Sequence, residues 1–250
     1  MTGVSEARDP EIRKQIARGR KRAILPIGSI EQHGAHMPVA TDAIIAEYIA
    51  RRVSQLVDAF VLPTVFYGVS HEHKPLFNVS IRNETLAAMI SDICVSLVEN
   101  GFSKIILLNA HYGNDAVLSY ITQAIYDKVP KETLICSLSY WTVLDDEMGH
   151  ADANETSLML AIRPELVSMK NAKAGNVKVG KIKSEKKLIL SRLTVIPSSF
   201  PRIASNGVWG DPRKASSRKG KIMLDQVSRK LADVIKDVEK VHETVFKGRK

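Results

Sequence analysis

Arg22–Asp42, RAILPIGSIEQHGAHMPVATD, passes from a continuous apolar run into a short segment that carries Glu31, His33, His36 and Asp42. The run RAILPIG has the length and character of a strand buried in a sheet. The stretch that follows, DAIIAEYIARRVSQLV, sets Ile44, Tyr48, Ile49, Arg52 and Val53 at helical spacing. Strand, polar loop and helix make the repeating unit of an α/β fold, in which ligands bind beyond the carboxyl ends of the strands. Metal-capable side chains therefore crowd the place where such a fold puts its site.

The unit recurs along the chain. AFVLPTVFYG reads as a strand. NETLAAMISDICVSLVENG reads as a helix with Asn83 as N-cap, Gly101 as stop and Leu86, Ile90, Ile93 and Leu97 as its apolar stripe. SKIILLNA is the continuous apolar strand of a parallel sheet buried on both faces. A helix from about Asn114 to Lys128 aligns Val117, Ile121 and Ile125; TLICSLSYW is the next strand, and the helix NETSLMLAIR stops before Pro164. The Lys- and Gly-rich stretch Asn171–Lys187 reads as a loop or hairpin, ahead of a last strand and a long C-terminal helix over about Ala215–Val245. The alternation implies a mostly parallel sheet with helices on both faces. Residues 1–21 form a charged N-terminal extension expected to be helical, and 22–250 a single α/β domain.

With 44% hydrophobic and 25% charged residues, the chain is not of the disordered, collagenous or disulfide-rich classes. No run approaches the roughly 20 apolar residues that cross a bilayer, and the charged N-terminus lacks a secretory apolar core. The expectation is a cytoplasmic protein with no membrane partner. Cys94 and Cys136, in apolar runs and without C-x-x-C spacing, read as buried thiols. The net charge of +9 concentrates at Arg18–Arg22, Lys170–Lys187 and Arg213–Lys221. These clusters lack the interleaved aromatics of a base-stacking surface, which argues against nucleic acid and leaves a solvated basic face or an anion site.

Three polar clusters fall at strand ends: the opening segment, NAHYGND (Asn109–Asp115) and GHADANETS (Gly149–Ser157). Imidazole and carboxylate without usable thiolate suit Zn, Mn or Fe. Glu31 and His33, two apart, project to one side of an extended segment, and Asp42 returns there from the first turn of the helix. Asp42 has two oxygens with which to bridge two cations, and His111 can complete the first site. Taken singly, Asp42 reads as a helix cap and His71, His73 and His242 as structural or solvated histidines.

GSIEQHGAHMPVATD, LNAHYGN and HADANETSLML, in this order, resemble the creatininase family of metal-dependent amidohydrolases. Its signature is G-S-x-E-Q-H-G-x-H-x-P-x-x-T-D, then N-x-H-x-x-N, then H-A-x-x-x-E-T-S. YGVSHEH and NGVWGDP (Asn206–Pro212) fit the pattern too, and the resemblance runs from about Arg22 to the end. It implies a three-layer α/β/α sandwich, a homo-oligomer that is often a hexamer, and two divalent cations (Zn, Fe or Mn) that hydrolyse a C–N bond. Carried over by position, Glu31 and His111 hold one cation, His33 the second, and Asp42 bridges them. His150 and Glu155 match the catalytic residues that move a proton to the leaving nitrogen, and His36 becomes a supporting or substrate-side group.

The sequence departs from the family pattern at several points. Family members place a ligand Glu two residues after the second-motif histidine or three after the third; here those positions are Gly113 and Ala153. The second cation then needs Asp152, Asp115, Glu155 or water. PLFNVSI replaces a Phe-Pro-Gly-Thr stretch, and only Trp141 stands upstream of the third motif, which argues against creatinine itself. A phosphoribosyl formamidopyrimidine, deformylated in the archaeal branch of the family, gives the positive charge a purpose, with Lys74, Arg82 or Lys170–Lys187 facing the phosphate. The alternatives are hydrolysis of a creatinine-type cyclic amide, a basic nucleic-acid-binding protein with a structural metal, and a family member without catalysis.

Overall fold

The computed structural model of the chain describes residues 3–176 and 199–247. Four parallel strands, β1 (Arg22–Ile27), β2 (Phe60–Val61), β3 (Lys104–Asn109) and β4 (Leu134–Ser139), pair in the order β2-β1-β3-β4. Alternation along the strands divides the core. Ile24, Ile106 and Leu108 face a cluster with Ile45, Ile49, Leu158, Val227 and Leu231. Leu25, Ile27, Ile105 and Leu107 face the opposite cluster, with Leu86, Ile90, Leu118 and Ile121. Helices α2 (Thr41–Val57), α5 (Ala153–Ile162) and α7 (Ser217–Lys247) thus cover one face, α3 (Asn83–Glu99) and α4 (Asp115–Ala124) the other, and the one-turn helix α6 (Phe200–Ile203) precedes α7. This is the expected three-layer α/β/α sandwich.

Several boundaries differ from expectation. The strand read over AFVLPTVFYG is only Phe60–Val61. Leu62 N still donates to Ile24 O and Val65 N to Pro26 O, but Pro63 between them has no N–H and breaks the ladder. The N-cap of α3 is Arg82, with Asn83 already helical. Cys94 is buried and Cys136 half-buried; both are free thiols, pushed up to about 12 by burial. The Asn171–Lys187 stretch beyond Asn176, and the strand expected after it, fall outside the described residues.

Short helix α1 (Asp9–Ala17) packs Ile12 and Ile16 on Ala23, Phe60 and Phe102. At the amino edge of the sheet, Arg22 donates to Val57 O (2.6 Å) and Glu239 Oε2 (2.7 Å), and Lys104 donates to the same carboxylate oxygen (2.8 Å). Basic side chains at this edge are thus spent on tying β1 and β3 to α7. No helix among the described residues is long and apolar enough to cross a membrane.

Candidate metal centre

All three polar clusters meet at the carboxyl edge of the sheet. Beyond Ile27 the chain doubles back, with Glu31 N donating to Val39 O (2.9 Å) and His33 bridged to Met37, and Asp42 enters the first turn of α2. His111 lies two residues past the end of β3. Asn109 fixes it there: its Oδ1 accepts from His111 N (3.0 Å) and its Nδ2 donates to His111 O (2.8 Å). His150 and Glu155 come from the segment leading into α5 and from that helix's first turn.

Hydrogen bonds to the main chain fix the two ligand histidines atom by atom. His33 Nδ1 donates to Glu31 O (3.0 Å), which leaves Nε2 bare, 3.1 Å from Asp42 Oδ1 and 3.7 Å from Glu155 Oε2. His111 Nε2 donates to Val69 O (2.7 Å), which leaves Nδ1 bare, 3.1 Å from Glu31 Oε2 and 3.2 Å from Asp42 Oδ2. A carbonyl has no proton to give, so it sets the tautomer of each ring. Among the described residues four groups of side chains bring ligand atoms together, and two of them, Glu31, Asp42, His111 and His33, Asp42, Glu155, share Asp42.

Lone pairs facing carboxylate oxygens need a positive charge between them. Glu31 Oε2 and Asp42 Oδ2 are buried and face the bare nitrogens of these rings with no hydrogen-bond donor, a cost of several kcal/mol that a cation relieves. The donor set fits a divalent cation such as Zn, Mn or Fe. Without one, protons serve. Burial opposes the charge on His33 and His111, but Asp42 and Glu155 beside the first and Glu31 and Asp42 beside the second hold both rings well above the ordinary value. For Glu31, His111 and His73 outweigh burial and hold the carboxyl well below its usual range.

This makes the metal-free chain pH-sensitive in a defined direction. The raised histidines contribute stability that is complete below the ordinary 6.5 and lost as pH rises through their folded values. Glu72 and Glu155, raised by burial, act in the same sense. His150, lowered by burial and by His33 and His73, and His36, lowered by burial and His33 to about 4, cost stability as pH falls below 6.5. Urea melts of chelator-treated protein are expected to show stability falling as pH rises above 6.5, an alkaline limb that zinc flattens. An alkaline limb insensitive to metal counts against a cation at these rings.

The alternatives for the missing carboxylate separate cleanly. Asp152 caps α5, with Oδ1 accepting from Asn154 N (2.9 Å) and Glu155 N (3.0 Å) and Oδ2 from Gly149 N (2.7 Å). Asp115 Oδ1 accepts from Asn109 Nδ2 (2.8 Å) and Ser139 Oγ (2.6 Å). Glu155 alone faces His33. Its Oε2 accepts from Ala151 N (2.6 Å), and Ala151 holds φ at +52°, a strained setting for a non-glycine residue that aims the N–H. Gly113 admits no side chain: a Cβ there falls 1.9 Å from Val69 O and 2.4 Å from His111 Nε2. Ala153 opens α5.

A cavity of about 40 Å³ adjoins both clusters, room for about three waters. Its wall includes His150, His73, Glu72, Tyr112, Trp141 and Phe200. His73, read from the sequence as structural or solvated, is buried, with Nε2 3.1 Å from Glu31 Oε1. Glu72 lies 3.7 Å from both His73 and His111. The signal for both is YGVSHEH, in the loop that follows the two-residue strand β2. His71 is half-buried beside them; His242 lies on α7 against Phe246 (4.7 Å). His36 stays outside both clusters and contacts Thr156 Oγ1 (3.0 Å).

The profile of the creatininase family, described as creatinine amidohydrolase, matches residues 5–235. Creatinine amidohydrolase of Pseudomonas putida is 25% identical over 260 residues, covering 94% of this chain and 96% of that one. The mycofactocin precursor peptide peptidase of Mycolicibacterium smegmatis is 29% identical over 229 residues, covering 85% and 83%. A solved structure titled creatininase Mn superposes with a TM-score of 0.78 at 24% identity, covering 94% and 98%.

Proposed function

The chain belongs to the creatininase family of amidohydrolases, and on that premise we propose that it hydrolyses a C–N bond of a small molecule with two divalent cations. Glu31, Asp42 and His111 would hold one, and His33, Asp42 and Glu155 the other. The observation that carries this reading is Asp42, whose Oδ1 meets the bare nitrogen of His33 and whose Oδ2 meets that of His111. Bound there, cations would lower the pKa of water toward neutrality and polarise an amide carbonyl.

Glu155 thereby moves from proton carrier to ligand, and proton transfer falls to His150. Burial and the nearby His33 and His73 keep that ring neutral, so at neutral pH it can take a proton and return it to the leaving nitrogen. Tyr112 stacks on Trp141 (centroids 4.1 Å apart) and its buried hydroxyl has no hydrogen-bond partner. Burial raises its pKa, so it stays a donor, positioned for developing negative charge on the substrate. Tyr112→Phe is expected to lower kcat about 10²-fold with metal content unchanged; an unaltered kcat removes this role.

For substrate we keep the phosphoribosyl formamidopyrimidine. A surface groove lined by Lys74, Pro75, Pro201 and Arg202 starts one residue from His73 and one from Phe200, both in the cavity wall. The test measures metal per chain and assays this formamide, its dephosphorylated analogue, creatinine and a peptide amide. Turnover of the phosphorylated formamide, with a KM raised by Lys74→Ala or Arg202→Ala, supports the assignment; turnover of creatinine or the peptide alone replaces it. Homo-oligomer formation and a cytoplasmic location belong to the same proposal. Phe77 and Val79, 61% and 42% exposed, supply apolar surface for a second copy. Basic residues of the N-terminal and Arg213–Lys221 clusters face acids, Arg20 with Asp58 (3.0 Å), Arg213 with Asp211 (2.8 Å) and Lys219 with Asp146 (3.0 Å), which gives the nucleic-acid reading no support.

A further inference from the structure

Gln32 stands in sequence between the ligands Glu31 and His33, and its side chain turns to two other rings of the cavity wall. Its Oε1 accepts from Gly34 N at 3.0 Å. A main-chain N–H can only donate, so this contact settles the orientation of the carboxamide. The atom 2.9 Å from His73 Nδ1 is then the Nε2 donor. His73 Nδ1 accepts, its ring proton lies on Nε2, and that nitrogen faces Glu31 Oε1 at 3.1 Å.

The main-chain oxygen of the same residue lies 2.9 Å from His150 Nε2. An oxygen without a proton can only accept, so His150 carries its proton on Nε2, although the Gln32 Nε2 is also near (3.1 Å). His150 Nδ1 is left bare, 3.7 Å from Glu31 Oε1. The carboxamide has little freedom to turn. Gly207, at φ +72° in the NGVWGDP segment, approaches so closely that a Cβ there would fall 1.8 Å from Gln32 Oε1.

We propose that Gln32 is a positioning residue that assigns the ring protons of His73 and His150, barring His73 from ligating a cation and presenting the bare Nδ1 of His150 to the cavity. Glu31, Glu72 and His73 bring their ligand atoms as close as the two cation clusters do, and a third cation would follow if His73 Nε2 were bare. A nitrogen that bears a proton cannot ligate. Gln32 thus sets His73 apart from the histidines whose bare nitrogens can take a metal, a distinction that the spacing of histidines in the sequence does not make. The catalytic consequence rests on the hydrolytic reading of this pocket; the ring protons do not.

Long-range ¹H–¹⁵N correlation spectra of the chelator-treated protein test the assignment directly. Expected are protonated Nε2 and unprotonated Nδ1 for both His73 and His150; a proton on Nδ1 of either ring overturns the proposal. In Gln32→Glu an acceptor replaces the donor facing His73. Its proton is expected to move to Nδ1, zinc titration to gain an additional equivalent, and kcat to fall roughly 10- to 100-fold with KM little changed. Unchanged ring protons and zinc stoichiometry in that variant also overturn it. Should Gln32→Glu not fold, the wild-type spectra decide alone. A wild-type chain that binds no zinc refutes the hydrolytic reading while the spectra still judge Gln32.

Discussion

Asp42→Ala is expected to empty both cation sites at once and to lower kcat/KM on the order of 10⁴-fold or more, the scale of losing the shared member of a catalytic unit. The reason is geometric. Oδ1 of this one carboxylate lies 3.1 Å from His33 Nε2 and Oδ2 lies 3.2 Å from His111 Nδ1, so neither cluster keeps three ligands without it. Asp42 also sits in the first turn of α2, where the helix dipole favours its charge. Metal analysis by mass spectrometry beside steady-state kinetics checks the result. A variant that keeps its full metal complement would remove the bridging role, whatever its activity.

Glu155→Gln is expected to halve the metal content, from roughly two ions per chain to roughly one, and to lower kcat on the order of 10³-fold. The Gln retains an oxygen for the Ala151 N–H, which Glu155 Oε2 accepts at 2.6 Å, so the local fold should survive. The companion variant Gly113→Glu, which supplies the carboxylate that other members of the family carry at this point, is expected not to rescue it. Its Cβ would lie 1.9 Å from Val69 O, the carbonyl that orients His111, and overpacking of this kind costs about 1 to 3 kcal/mol. Restored metal and turnover in the double variant would show that the loop yields and that Glu155 is not the working substitute. At Gly113 the space for a side chain is filled by main chain, so under the proposed reading a carboxylate there and Glu155 are alternatives.

Much of the candidate centre is legible in the sequence. Glu31, His33, Asp42 and His111 follow strands whose apolar runs are unmistakable, and strand ends are where α/β sheets bind ligands. Glu155 was legible as a residue of the site but not in its role. Asp152, Asp115 and Glu155 are equivalent on paper, and they separate only because backbone N–H groups engage the first and Asn109 and Ser139 engage the second. For His73 and Glu72 the sequence gives no place in the site, because β2 is a two-residue strand and the loop after it has no periodicity to read.

The sequence by itself determined the layered α/β architecture, the edge that carries the site and the identity of most metal-capable side chains, since apolar periodicity and residue chemistry are local properties. Only the tertiary structure decided which nitrogen of each histidine is bare. Those tautomers are set by the carbonyls of Glu31, Val69 and Gln32 and by the carboxamide of Gln32, and for His111, His73 and His150 the partner lies 42, 41 and 118 residues away in the chain. A proton's place on an imidazole depends on the group across from it, and for these rings folding alone brings that group near.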